Sequence, residues 1–126
     1  MQIGVDCNLA VNNRRIFVIA QDEIARMALQ FMLYDEYETH EFCSLDAAEA
    51  KARDWPPDLL IVGEDLLTPD EKQGAIERQF PQTRLLVLAN SQRDTRVYSE
   101  AFPANAQIHQ PLRLEAVRAA VADRFL

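Results

Sequence analysis

Glycine is scarce in this 126-residue chain, which has only Gly4, Gly63 and Gly74. The phosphate-binding loops G-x-G-x-x-G and the P-loop need glycines a few residues apart, so neither motif occurs in this sequence. Cysteine is equally scarce, with Cys7 and Cys43 alone. Two cysteines exclude a disulfide framework and predict reduced thiols in a cytoplasmic protein.

Residues that bind metals or act as nucleophiles are also few. The chain has two histidines, His40 and His109, which the pattern places on different strands without an acidic partner at fixed spacing. With so few thiols and imidazoles we expect no metal site and no cofactor, and both histidines are predicted to be structural. Cys43 is not expected to be a nucleophile, because nothing nearby in sequence marks it as activated.

Long apolar runs and an excess of basic residues are absent. No run approaches the ~20 apolar residues that cross a bilayer, and residues 1–13 form a polar leader without the basic start and apolar stretch of a signal peptide. Twenty acidic residues against 13 basic ones give a formal charge of −7. Because phosphate affinity comes mainly from clustered Lys and Arg, we expect neither a nucleic-acid partner nor a membrane.

The rest of the composition is that of one globular domain, predicted over residues 14–126, with 48% hydrophobic and 26% charged residues. Short apolar segments, typical of strands buried on both faces, alternate five times with helical segments. The predicted strands are 16–20, 37–42, 59–62, 84–89 and 106–109, and helices follow them from about 24, 45, 68, 90 and 114. Such alternation predicts a parallel sheet with helices on both faces.

The first predicted helix has a wide apolar stripe. Ile24, Met27, Ala28 and Phe31 recur at helical spacing, with Ala25, Leu29 and Met32 beside them. Because the stripe is wide, we expect this helix to be deeply packed. Its methionines are expected to fill the core and not to form a binding surface.

Local segments, in order and spacing, resemble the receiver domain of bacterial response regulators from about Arg14 to Leu126. The matching segments are RRIFVIAQDE, YETHEFCSLDAAEA, PDLLIVGEDLL, RLLVLAN and AQIHQPL. The resemblance implies an α/β flavodoxin-like fold with a five-stranded parallel sheet of order 2-1-3-4-5. It also implies a site at the carboxyl ends of the strands.

In that family the site transfers a phosphoryl group to an aspartate, with acidic residues for magnesium and with a hydroxyl and a lysine for the phosphoryl oxygens. At these positions the present chain differs throughout. The phosphoacceptor position holds Gly63, the two acidic positions hold Ala20 and Gln21, the hydroxyl position holds Ala89 and the lysine position holds Gln110. The resemblance therefore implies a degenerate, pseudo-receiver site.

Two further positions carry expectations from the resemblance. The aromatic switch position of the fifth strand holds Gln107. The bond Gln110–Pro111 is expected to be cis, as the Lys-Pro bond of the family usually is.

A shifted register leaves an alternative open, in which Glu64 or Asp65 is phosphorylated, Asp22 replaces a lost acid and Ser91 supplies the hydroxyl. Glu64 is expected to point away from the side that Gly63 faces, because adjacent strand residues face opposite sides. Without a lysine or hydroxyl in place, such an acceptor would lack most of its charge stabilisation.

A mixed-charge surface on the last two predicted helices is a candidate interaction face. Receivers use the corresponding face to dimerise through salt bridges around an apolar centre. Its candidate contact residues here are Arg93, Arg96, Val97, Tyr98, Arg113 and Arg118, and its acidic residues are Asp94, Glu100, Glu115 and Asp123.

The sequence thus favours a cytoplasmic, receiver-like signalling module that is not an enzyme. We expect it to contact a protein partner, such as a sensor kinase, regulator or effector, or a second copy of itself. Two alternatives stay open: a regulatory domain that binds a small molecule in the emptied pocket, and a divergent receiver that is still phosphorylated. An effector domain beyond Leu126 also stays open.

Overall fold

The computed structural model of the chain describes residues 14–66, 80, 83–89 and 107–125. Its elements are β1 (Arg15–Ile19), α1 (Glu23–Leu33), β2 (Glu38–Phe42), α2 (Leu45–Ala52), β3 (Leu59–Gly63), a 3₁₀ turn (Glu64–Leu66), β4 (Arg84–Ala89), β5 (Gln107–His109) and α3 (Leu114–Arg124). The leader and the helices predicted from 68 and 90 lie outside the described residues.

The five strands form one parallel sheet of order β2-β1-β3-β4-β5, as predicted. β1, β3 and β4 are apolar without alternation because helices cover both of their faces. β2 is the outermost strand on one side, and all five of its residues are half-buried. This agrees with the outer position of the second strand in the order that the resemblance implies.

Alternate residues of the central strands feed two separate cores. One face of the sheet, with Ile16, Val18 and Ile61, packs against α1 and α3. The other face, with Phe17 and Val62, packs against α2 and its buried Ala48. The two helices α1 and α3 are thus neighbours on one side of the sheet, and α2 lies on the other.

α1 buries only one side of the wide predicted stripe. Its buried residues are Ala25, Leu29 and Leu33. Of the residues expected in the core, Ile24, Met27 and Phe31 are instead 81%, 53% and 74% exposed, so the methionines do not both fill the core. The prediction was wrong for these residues because the helix is apolar on two opposite faces, and spacing alone does not tell which of them meets the sheet.

The remaining described helices follow the sequence more closely. The hydroxyl of Ser44 accepts a hydrogen bond from the backbone N–H of Ala47 and caps the start of α2. In α3, Val117 and Val121 are fully buried, whereas Leu114, the third apolar residue at helical spacing, is 40% exposed. No helix among the described residues is long and apolar enough to cross a membrane.

Candidate functional site

The predicted site positions meet at the carboxyl edge of the sheet. Ile19 pairs with Val62 in the sheet register, so Ala20 and Gly63 follow side by side on neighbouring strands. Across β4, Ala89 pairs with His109, and Gln110 comes next. Adjacent strands lie about 4.8 Å apart, so these positions share one edge.

The chemistry of this edge is set by small and neutral side chains. Ala20 and Ala89 are each 2% exposed, and Gly63 is buried. Gln21 is exposed, and Gln110 is half-buried. The five positions therefore carry two methyl groups, one glycine and two amides. A phosphoacceptor site needs three carboxylates, a hydroxyl and an ammonium group at these positions.

The carboxylate that directly follows Gln21 has a structural role. Asp22 is the N-cap of α1, where one oxygen accepts hydrogen bonds from the backbone N–H groups of Ile24 (3.0 Å) and Ala25 (3.4 Å). The cap satisfies donors that the first turn of a helix would otherwise leave open. It also places negative charge at the positive end of the helix dipole.

A guanidinium group that the sequence did not point to lies at the same edge. Arg26 donates to the carbonyl oxygen of Ala20 at 2.7 Å and to the carboxylate of Glu41 at 2.9 Å, and its side chain is only 16% exposed. This cation sits beside the first of the two positions that carry magnesium-binding acids in receivers. In the sequence, only the position of Arg26 one turn into α1 distinguishes it, and that position predicts no particular role.

The alternative acceptors are only partly within the described residues. Glu64 opens the 3₁₀ turn after β3 and is 1% exposed, so its carboxylate is enclosed by protein. The side chain of Asp65 and all of Ser91 lie outside the described residues.

The turn after β5 matches the resemblance. Gln110–Pro111 is a cis peptide bond, as predicted. Gln107 begins β5 opposite Val87 and is half-buried.

A polar cluster occupies the opposite end of the sheet. The guanidinium of Arg15 and the imidazole of His40 both hydrogen-bond one carboxylate oxygen of Glu38. Trp55 lies over this cluster, 5.6 Å from the Arg15 guanidinium and with Lys51 at 4.0 Å. Burial favours the neutral acid, but the hydrogen bonds from Arg15 and His40 outweigh it and lower the pKa of Glu38.

The two histidines lie on different strands, and Cys43 is three residues after His40. His40 is on β2 and His109 on β5, the two outer strands of the sheet. Cys43 is exposed just after β2. Within the described ranges, no three His, Cys, Asp or Glu side chains come close enough together to hold a metal ion.

The predicted interaction face is described only at Arg113 and Arg118. Arg113 is exposed at the start of α3. Arg118 is instead engaged with the end of α1, where it donates to the carbonyl oxygen of Met32 (3.3 Å) and to both carboxylate oxygens of Asp35 (3.1 and 3.2 Å). Its contribution is therefore to hold α1 and α3 together. The predicted positions Arg93, Arg96, Val97 and Tyr98 lie outside the described residues.

No known protein-family model and no curated protein matches the sequence. Solved structures resemble the fold. A response regulator receiver modulated diguanylate cyclase from Pelobacter carbinolicus matches with a TM-score of 0.71 at 18% identity, over 89% of this chain and 92% of that one. A response regulator from Thermotoga maritima matches with a TM-score of 0.69 at 21% identity, over 87% and 98% of the two chains.

A response regulator receiver protein from Sinorhizobium medicae is similar as well, with a TM-score of 0.70 at 11% identity over 90% of this chain and 95% of that one. At such identities the likeness concerns the fold. The architecture of this chain is that of a receiver domain, which agrees with the predicted flavodoxin-like α/β class.

Proposed function

We propose that this chain, which has the receiver fold, is a cytoplasmic signalling module that recognises protein partners and takes no part in phosphoryl transfer. The partner would be a sensor kinase, a regulator, an effector or a second copy of the chain. Signalling would then depend on which surfaces the fold presents and on how partner binding biases its packing. The module would be a pseudo-receiver and not an enzyme.

The observation that carries this proposal is Gly63 at the phosphoacceptor position of β3, buried between Ala20 and the end of β4. A glycine has no atom that can accept a phosphoryl group. Its neighbours supply only methyl and amide groups, so the carboxylates that would hold magnesium are missing as well.

The charge at this edge supports the same proposal. The guanidinium of Arg26 donates a hydrogen bond to the carbonyl oxygen of Ala20 at 2.7 Å. Glu41 neutralises this guanidinium at 2.9 Å, so the carboxylate and the carbonyl oxygen are both already bonded and do not offer ligands to a divalent cation.

The nearby carboxylates are poor substitutes for the missing acceptor. Asp22 is committed to the N-cap of α1. Glu64 is 1% exposed, so a phosphodonor would reach it only after the turn opened. A phosphoryl group on either residue would have neither a lysine at position 110 nor a hydroxyl at position 89 to stabilise it.

The test is exposure of the full chain to acetyl phosphate or to beryllofluoride, each with Mg²⁺. We expect no added phosphoryl mass by intact-protein mass spectrometry and a melting temperature unchanged within about 1 °C, because a ligand that does not bind gives no stabilisation. The oligomeric state should not change either. A receiver that keeps its acceptor aspartate, treated in parallel, is the positive control.

The variant Gly63→Asp separates a missing acceptor from a missing site. We expect this variant to stay unmodified too, because Ala20, Ala89 and Gln110 still cannot bind the metal and the phosphoryl oxygens. A magnesium-dependent gain of mass or thermal stability in the wild-type chain would overturn the proposal.

A further inference from the structure

A cavity of about 320 Å³ lies at the amino edge of the sheet, where the strands begin. It is formed by the last turns of α2, by the turn before β3 and by the residues before β4. The candidate site described above is at the opposite edge. The volume falls at the lower end of the ~300–1,000 Å³ that small-molecule sites have, so we call this space the amino-edge cavity and ask what it fits.

The inner wall of the amino-edge cavity is apolar. Ala52 of α2, the two prolines Pro56 and Pro57, and Phe80 all line it. Pro57 and Phe80 are buried, and Ala52 is half-buried. Because apolar groups gain free energy when they leave water, this wall favours an aliphatic or aromatic part of a ligand.

The proline turn in this wall is held from both sides. The guanidinium of Arg15 donates to the carbonyl oxygen of Pro56 at 3.1 Å. The hydroxyl of Thr83 donates to the carbonyl oxygen of Pro57 at 3.0 Å. The two proline rings also restrict the backbone of the turn. A wall that is already fixed loses little freedom when a ligand binds, so the cavity is preorganised.

Two opposite charges line the same cavity. Glu49 and Arg53 are one helical turn apart on α2, so their Cβ atoms are roughly 5–6 Å from each other. The Nη2 atom of Arg53 lies 3.6 Å from the Oε1 atom of Glu49, and the side chains are 74% and 37% exposed. That separation is longer than a hydrogen bond, so the carboxylate and the guanidinium can each form one with a ligand.

The two charges and the apolar wall together select the class of ligand. A ligand with only a carboxylate would meet the like charge of Glu49, and a ligand with only an ammonium group would meet that of Arg53. A zwitterion complements both, because its carboxylate can pair with Arg53 and its ammonium group with Glu49. Free amino acids with an aliphatic or aromatic side chain combine this zwitterion with a group that suits the apolar wall.

We infer that the amino-edge cavity binds a free apolar α-amino acid. Its carboxylate is held by Arg53, its ammonium group by Glu49, and its side chain by Pro56, Pro57 and Phe80. The inference goes beyond the proposed function, because it adds a small-molecule site to a protein-recognition module. It also differs from the alternative of a ligand in the emptied pocket around Gly63, which is at the other edge of the sheet.

The test is a titration of the full chain with L-leucine or L-phenylalanine. Trp55 is the only tryptophan of the chain, is 48% exposed and precedes Pro56, so its fluorescence reports on the cavity. Isothermal titration calorimetry measures the same Kd independently. We expect a Kd below about 1 mM for at least one of the two amino acids.

Derivatives of the amino acid test its three parts. Leucinamide lacks the carboxylate, N-acetyl-L-leucine lacks the ammonium group and glycine lacks the side chain. Each should bind at least about tenfold more weakly than L-leucine, because one charge of the protein or the apolar wall then loses its partner.

Variants locate the binding. Arg53→Gln and Glu49→Gln each remove one charge and should each weaken the binding of L-leucine by about tenfold or more. Ala52→Leu fills the cavity and should abolish binding. Arg113→Gln is the matched control, since it changes an exposed arginine at the start of α3 that does not line the cavity, and it should leave the Kd unchanged. Circular dichroism and melting temperature confirm that each variant is folded.

A Kd above about 10 mM for both amino acids would overturn the inference. Equal affinity for L-leucine and its two derivatives would do the same, because the charges of Glu49 and Arg53 would then not select the ligand. Binding that the charge variants and Ala52→Leu leave unchanged would place the ligand elsewhere and would also contradict it. The phosphodonor test is independent of all these outcomes, so the two proposals can fail separately.

Discussion

Single side chains decide what the carboxyl edge of the sheet can do. Arg26 links three parts of the molecule, because it extends from α1 to the carbonyl oxygen that follows β1 and to Glu41 on β2. Its side chain is 16% exposed, so these bonds are shielded from water. We therefore infer that Arg26 stabilises the edge of the sheet where receivers bind a metal, by linking α1 to β1 and β2.

Replacing Arg26 by alanine should lower the free energy of unfolding by about 1–2 kcal/mol, because the Glu41 carboxylate and the Ala20 carbonyl lose their donor. Arg53→Ala is the matched control. Arg53 is 74% exposed and pairs with Glu49 at 3.6 Å, and its loss should cost no more than about 0.5 kcal/mol. Urea denaturation measures the loss of unfolding free energy in both variants. Equal losses would show that Arg26 does not stabilise this edge more than a surface arginine does.

Glu38 gives a second residue-scale prediction, for the dependence of stability on pH. Its pKa is lowered in the folded chain by hydrogen bonds from Arg15 and His40, which outweigh burial. A lowered folded-state pKa adds stability above the unfolded-state value, about 4.3, and that stability is lost as the pH falls through the folded-state value.

Glu38→Gln should therefore be less stable than the wild type at pH 6–7, and the difference should shrink as the pH falls below about 4. Urea unfolding at pH 7, 5, 4 and 3 checks this. A difference that stays constant over this range would show that the two states bind protons alike at Glu38.

At the scale of elements, α1 shows where sequence patterns stop being informative. The central strands could be predicted because a short, β-branched, unbroken apolar run bounded by turn residues is typical of a strand covered on both faces. α1 could be predicted as a helix but not oriented, since Ile24 and Phe31 on one face are as apolar as Leu29 and Leu33 on the other. Only packing against the sheet distinguishes the two faces.

The two faces of α1 should respond very differently to truncation. Leu29→Ala removes a fully buried side chain and should cost about 2–5 kcal/mol of unfolding free energy. Phe31→Ala removes a larger side chain that is 74% exposed and should change stability by no more than about 0.5 kcal/mol. Thermal or urea unfolding of the two variants measures these losses. A large loss for Phe31→Ala would mean that the exposed face of α1 is covered within the chain.

For the molecule as a whole, the sheet lies between two cores. Among the described residues, Val121 of α3 belongs to the core with α1, and Val62 of β3 belongs to the core with α2. Because the two valines lie on opposite faces of the sheet, their contributions should be independent.

The double variant Val121→Ala with Val62→Ala should lose the sum of the two single losses, within about 0.5 kcal/mol. Chemical denaturation of the four proteins completes the cycle. A larger coupling would indicate that the sheet transmits strain from one core to the other.

The candidate site was predictable in part. The positions of Ala20, Gly63, Ala89 and Gln110 follow from the strand pattern and from the resemblance, because parallel strands bring their carboxyl ends to one edge. The cation of Arg26 beside Ala20 was not predictable, since its side chain could equally extend into solvent. Burial of the Glu64 carboxylate depends in the same way on tertiary packing.

The polar outer strand has a consequence for the behaviour of concentrated solutions. β2, with the sequence ETHEF, lies at the border of the sheet and has Glu38 and Glu41 near its two ends. If the borders of two molecules joined strand to strand, the added strand would bury these charged side chains or displace the arginine that each one pairs with in its own chain. Continuous sheets through β2 are thereby discouraged. Resistance to fibril-like growth along this border is thus built into the same strand that anchors Arg26.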